Sequence, residues 1–225
     1  MMASQKVVSL HAKECITMSS IQDIYEAIAA EGFSKRGLQL IDAHVNDIEN
    51  GRANFSRFNQ QEHAGLCKAG ASLIGASIVA SYARRSLTTS SDAEGGKGGG
   101  PANWEIDEKQ EQLIELWAKA KGLWFGNSDS ILQKNFGPMI AQGAEAKVYY
   151  REGDPTVAKE RASIYSTTEK ALDAIVLHNY LFPETAMNVF GFTRDSDNLF
   201  RIILTQHRRM GAVGGRGFEK GNHSN

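Results

Sequence analysis

Between Pro138 and Thr205 the apolar residues fall in short β-rich runs interrupted by one helical stretch, and this change of period restricts the fold more than any other feature of the chain. PMIAQ (138–142), AKVYYR (146–151) and PTVAK (155–159) read as strands, with Glu152-Gly153-Asp154 as the hairpin turn between the last two. Thr167 or Thr168 caps a helix that runs to about Tyr180, with Leu172, Ile175, Val176 and Leu177 apolar. AMNVFGFT (186–193) and LFRIILT (199–205) then flank the turn Arg194-Asp195-Ser196-Asp197-Asn198 as a second hairpin. The order β-β-β-α-β-β predicts an α+β fold: a five-stranded antiparallel sheet with one packed helix.

The preceding residues are helical in pattern. Ser19 or Ser20 caps a helix whose Ile21, Ile24, Tyr25 and Ile28 share one stripe, and Gly32 ends it. Leu38, Ile41, Val45 and Ile48 repeat that spacing from Ser34 to Asn50. The segment Ala64 to Ala83 has the length of a membrane span and only Lys68 charged, but its Ala, Gly and Ser content gives poor insertion energy, so it predicts a small-residue packing helix. An amphipathic helix from about Asp107, carrying Leu113, Leu116, Trp117, Ala120, Leu123 and Trp124, opens the second half. Its carboxylates Glu105, Glu108, Glu111 and Glu115 read as a solvated face. The expected division is a helical region over 1–85, a flexible Gly/Ser-rich linker over 86–103, the sheet domain over 104–206, and a disordered Gly-rich tail over 207–225.

Composition narrows the function classes. A formal charge of −1, with 41% hydrophobic and 23% charged residues, fits a soluble globular chain and argues against nucleic acid or a membrane surface as the main partner. Arg84-Arg85 and the Gly/Arg tail are the features that point the other way. Cys15 and Cys67 form no disulfide framework, and neither CxxC nor HExxH occurs, so no metal site is expected and a cytoplasmic location is. Lys6, His11, Lys13 and Glu14 interrupt any apolar leader.

The chemistry lies in QGAEAKVYYREGDPTVAKE. A glycine-bearing β-turn-β followed by a strand lysine is the layout of a protein-kinase N-lobe. Gly143 stands five residues before Val148, and Lys159 eleven after it, which puts Gly143 at the middle glycine of G-x-G-x-x-G-x-V. Backbone amides near Gly143 would approach nucleotide phosphates and Lys159 would meet them as a point charge. Val157 shares the strand face of Lys159, where it would line an adenine pocket. The acidic partner of the lysine is expected on the helix, Glu169 first and Asp173 second. Ala141 and Ala146 replace the outer glycines, and Val-Ala-Lys is one residue shorter than the usual spacing.

From Gln110 to Gln206 the chain resembles the kinase-like domain of polyvalent proteins from phages and conjugative elements, through EQLIELWAKAKGLW, GAEAKVYY, LHNYLFPET (177–185) and NVFGF. The stretch from Asn46 to Ala80 is similar to segments that precede such domains. The resemblance implies Ser/Thr/Tyr-kinase-like activity with ATP and Mg2+. Neither H-R-D nor D-F-G occurs, and His207-Arg208-Arg209-Met210 lacks the aspartate, so a truncated kinase-like protein is expected. The abrupt change at His207 fits a frameshifted end. Such a chain would have cofactor contacts at Gly143, Val148, Val157, Lys159 and Glu169 and no catalytic or metal residues. Half a cleft implies nucleotide affinity on the order of millimolar, about −4 kcal/mol, and no phosphoryl transfer by this chain alone. The alternative is a protein-interaction module that binds an unknown partner through its helical region.

Overall fold

The computed structural model describes residues 20–68, 70–93 and 101–208. Its helices are α1 (Ile21–Glu31), α2 (Lys35–Glu49), α3 (Gln60–Lys68), α4 (Gly70–Ala93), α5 (Asn103–Lys121), α6 (Ser128–Phe136) and α7 (Thr168–Leu181). The strands are β1 (Met139–Gln142), β2 (Ala146–Tyr149), β3 (Thr156–Ala162), β4 (Met187–Arg194) and β5 (Phe200–His207), with a 3-10 turn at Pro183–Thr185. Local chemistry sets the helix starts. Ser20 and Asp23 bond reciprocally in a capping box, Ser34 accepts from the Gly37 amide, and Thr167 accepts from the Lys170 amide.

The strands form one antiparallel sheet in the order β1-β2-β3-β5-β4, so the fold is α+β, as the alternation predicts. Residues directly opposite each other share a face. Val148, Lys159, Leu204 and Val189 therefore form one row across β2, β3, β5 and β4. This face is covered by α7, whose Leu172, Ile175 and Val176 pack into the same core as Ile202, Leu204 and Val189. The opposite face carries Tyr149, Ala158 and Ile203, which α6 covers with Leu132.

The short helix α6 lies in a stretch for which no element was expected; Asn127 caps it by accepting from the Ser130 amide at 3.1 Å. Three expectations are corrected. The small-residue segment is two helices, α3 ending at Lys68 and α4 starting at Gly70, whose φ of +75° is left-handed. The anticipated linker is helical over 86–93 and again from Asn103; residues 94–100 lie outside the described residues, as does the tail from 209. Finally, the two halves do not have separate cores. Ile24, Ile41, Leu66, Ile74 and Ile78 belong to the same cluster as Trp117, Leu172, Val176, Phe192 and Leu204. One helix cannot bury both of its sides on a small sheet, so α7 presents its outer side to α3 and α4.

Close backbone approaches hold this arrangement. Residues 123–125 run beside β4, where the Phe125 amide donates to the Phe192 carbonyl at 2.9 Å and the Phe192 amide to the Leu123 carbonyl at 2.8 Å. Gly191, at the register shift of β4, makes room for them: a Cβ there would lie 2.5 Å from the Leu123 carbonyl oxygen. Gly191→Ala is expected to lower the unfolding free energy by about 1–3 kcal/mol, measured as a smaller urea midpoint at unchanged slope.

Candidate functional site

Lys159 sits mid-strand on β3, half-buried, with Val148 and Leu204 as its neighbours across the sheet and Val157 two residues back on the same face. Its Nζ donates to Gln206 Oε1 at 2.9 Å, and Gln206 Nε2 donates to the Thr185 carbonyl at 2.7 Å. That carbonyl also lies 3.1 Å from His178 Nε2, so a polar chain ties the end of the sheet to the turn after α7. Burial, reinforced by the nearby Arg161 charge, pushes the Lys159 amine below its usual pKa. Among the described residues no carboxylate forms an ion pair with it.

The carboxylate expected to do so is engaged elsewhere. Glu169 stands in the first turn of α7, with only 5% of its side chain exposed, and its oxygens accept from Arg57 and Arg84. Ser81 Oγ adds a bond at 3.1 Å and Gln110 Nε2 another at 3.2 Å. Gln110 also accepts the Glu169 backbone amide at 3.0 Å and donates to the Ala80 carbonyl at 3.1 Å. Asp173, the second expectation, is held by Arg57 as well. Both sequence-derived partners of Lys159 are thus corrected, and for one reason: the first turn of α7 faces α4 and α5, where a buried carboxylate needs several charged donors. Burial alone would raise the Glu169 pKa, but the Arg57 and Arg84 guanidiniums outweigh it and hold the carboxyl below its ordinary value. Arg57 is itself braced, lying 4.8 Å from the Phe58 ring centre and 5.5 Å from that of Phe55.

Gly143 begins the hairpin tip between β1 and β2, and its amide donates to the Ala146 carbonyl at 2.9 Å. A Cβ at this position would meet nothing within 4 Å, so packing does not demand glycine here. Val148 and Val157 are partly buried on the Lys159 face, as alternation predicts. The cavity between this face and α7 holds about 180 Å³ and is lined by Arg161, Tyr165, Ala174, His178, Met187 and Leu204. Pockets that enclose a small molecule usually span roughly 300–1,000 Å³, so a whole nucleotide does not fit inside it. Among the described residues no cluster of three His, Cys, Asp or Glu side chains could hold a metal ion.

Sequence reasoning missed Arg57, Arg84, Gln110 and Gln206 as site residues. It also missed a network on the other sheet face. Glu160, buried on β3, accepts from Ser128 Oγ at 2.5 Å and lies 3.5 Å from Lys147 Nζ, which bonds Asp129 at 3.1 Å; Tyr149 donates its hydroxyl to Asp129. Burial and the Asp129 charge raise the tyrosine pKa, so the hydroxyl stays protonated and fastens α6 to the sheet. The supposedly solvated carboxylates of α5 differ too: Glu111 and Glu115 lie 3.0 and 3.1 Å from the Arg194 guanidinium on β4.

Residues 107–209 match the family model described as a serine/threonine/tyrosine kinase found in polyvalent proteins. These residues form a kinase-like domain of that family. The match begins in α5 and takes in α6, α7 and all five strands. No curated protein and no solved structure matches the chain. Arg57, in the turn between α2 and α3, and Ser81 and Arg84 of α4 hold the first turn of the kinase-like domain's α7 from outside the matched span. No helix among the described residues is long and apolar enough to cross a membrane.

Proposed function

We propose that this chain is a kinase-like protein that contacts ATP weakly and does not by itself transfer a phosphoryl group. The observation that carries this reading is the separation of the lysine and the acid. An assembled kinase site requires the strand lysine to pair with the helix glutamate, whereas here Lys159 bonds Gln206 and Glu169 bonds Arg57 and Arg84. H-R-D and D-F-G, which would supply the base and the metal-binding aspartate, are absent from the 225 residues. A half-buried ammonium with no acidic partner favours an anion, and a phosphate reaching Lys159 past the open Gly143 tip would meet that need. Val148 and Val157 would lie against the base.

The test is calorimetric titration of the full chain with ATP, alongside transfer of labelled γ-phosphate to a generic acceptor protein. Binding in the millimolar range and no transfer are expected. Lys159→Met should weaken ATP binding by roughly tenfold, the loss of one charge-assisted hydrogen bond. Turnover above background, or affinity untouched by Lys159→Met, would overturn the reading. The interaction-module alternative draws no comparable support, because Ile41, Val45, Leu66 and Leu73 of the helical region are buried in the shared core.

A further inference from the structure

Beside the Glu169 cluster, on the side away from the sheet, lies a cleft of about 360 Å³ whose lining includes Tyr25, Arg57, Ser81, Arg84, Arg85 and Glu169. Its charges do not balance. Three guanidiniums stand against the carboxylates of Glu169 and Asp173. Arg84 bonds Glu169 through Nε, which leaves its two terminal amino groups without a hydrogen-bond partner among the described residues, and 39% of its side chain is exposed. Arg85 lies 5.6 Å from the Tyr25 ring centre and forms no ion pair among the described residues. Arg57 Nε is buried with no hydrogen-bond partner. Burial raises the Tyr25 pKa, so its hydroxyl remains a donor at neutral pH.

We propose that this cleft binds a phosphate monoester, gripped by Arg84 and Arg85, with Arg57 shared between the ligand and Glu169. A single negative charge would merely neutralise the excess. A competitor for guanidiniums already bonded to a buried carboxylate needs more charge and more acceptor atoms, and the dianionic phosphate has both, in a shape that suits the guanidinium fork. The volume accommodates the phosphate and the residue or sugar that carries it. Because the same arginines hold Glu169, occupancy loosens the first turn of α7, which couples the cleft to the kinase-like domain through a contact already present.

The experiment titrates the full chain, at low salt, with a blocked phosphoserine peptide, its unphosphorylated counterpart and inorganic phosphate, following binding by calorimetry and the Thr168–Asp173 amides by hydrogen exchange. Arg85→Gln is the diagnostic variant, since Arg85 lies over the Tyr25 ring and makes no ion pair with the Glu169 cluster. The expected result is binding that requires the phosphate, falls roughly tenfold in Arg85→Gln, and speeds exchange in the first turn of α7. A phosphopeptide more than tenfold tighter than inorganic phosphate identifies a phosphorylated protein as the source, and equal affinities identify a small phosphate; either supports the cleft. No binding up to millimolar concentration, or binding indifferent to Arg85→Gln, overturns it. The outcome is separable from that of the ATP test, because Lys159→Met leaves phosphate binding in this cleft unchanged.

Discussion

Gly65→Ala will destabilise the protein by about 3 kcal/mol or more, the largest effect expected of any single methyl group in the chain. A Cβ at Gly65 of α3 would sit 2.1 Å from the Val176 carbonyl oxygen and 2.9 Å from the Tyr180 amide nitrogen, both backbone atoms of α7. No rotamer change relieves such contacts. The two helices must move apart, and with them the packing of Leu66 and Val176, each fully buried in the common core. Alanine favours a helix over glycine by about 1 kcal/mol, which offsets only part of that cost. For a chain of this length the loss corresponds to a melting point lower by about 6–12 °C. Gly143→Ala is the control, because a Cβ there meets nothing within 4 Å, and its melting point should not change. If Gly65→Ala melts with the control, α3 does not rest on α7 as described.

This crossing was not legible in the sequence, and the reason is physical. Helix caps and strand alternation are local: Ser20, Ser34 and Thr167 declare themselves by their position before an apolar stripe, and the period of two puts Val157 and Lys159 on one face whatever covers it. An apolar stripe does not say what lies against it, so the shared core of the helical region and the sheet was read as two. The same limit governed the site. Lys159 was found because strand and hairpin fix its surroundings, whereas Arg57 is separated from Glu169 by 112 residues and no spacing links them. The helix α6, which precedes the strands, showed no apolar stripe in the sequence because Leu132 is its one fully buried large apolar side chain. Its Asn127 cap was the available signal. For α4, Arg84-Arg85 raised the question of nucleic acid, yet Arg84 points inward to a carboxylate and Arg85 lies over a tyrosine ring.

Glu169→Ala is the second large effect, a loss on the order of 3 kcal/mol in the free energy of unfolding. The magnitude follows from what the substitution strands. Arg57 has 22% of its side chain exposed and would be left with Asp173, which is 42% exposed, while Ser81 and Gln110 each lose an acceptor. Arg84, 39% exposed, recovers water and contributes little to the cost. Replacing both charges by apolar groups of similar length tests the pairing directly: Arg57→Met with Glu169→Met should be less destabilised than the sum of the two single variants by about 1–3 kcal/mol, since neither charge is then buried alone. Additive losses would mean that the two side chains stabilise the fold independently. The pH dependence has a definite sign. Glu169 has a folded pKa below its unfolded value, so its contribution is complete above the ordinary carboxylate range and is lost as the pH falls through the lowered value. Asp173 runs the other way: burial, with Glu169 and Glu62 nearby, raises its pKa, so acid relieves a penalty there. The difference in stability between the unmodified chain and Glu169→Gln isolates the first carboxyl. It should be constant near neutrality and shrink in acid, and a difference that grew on acidification would place the stabilising charge on another residue.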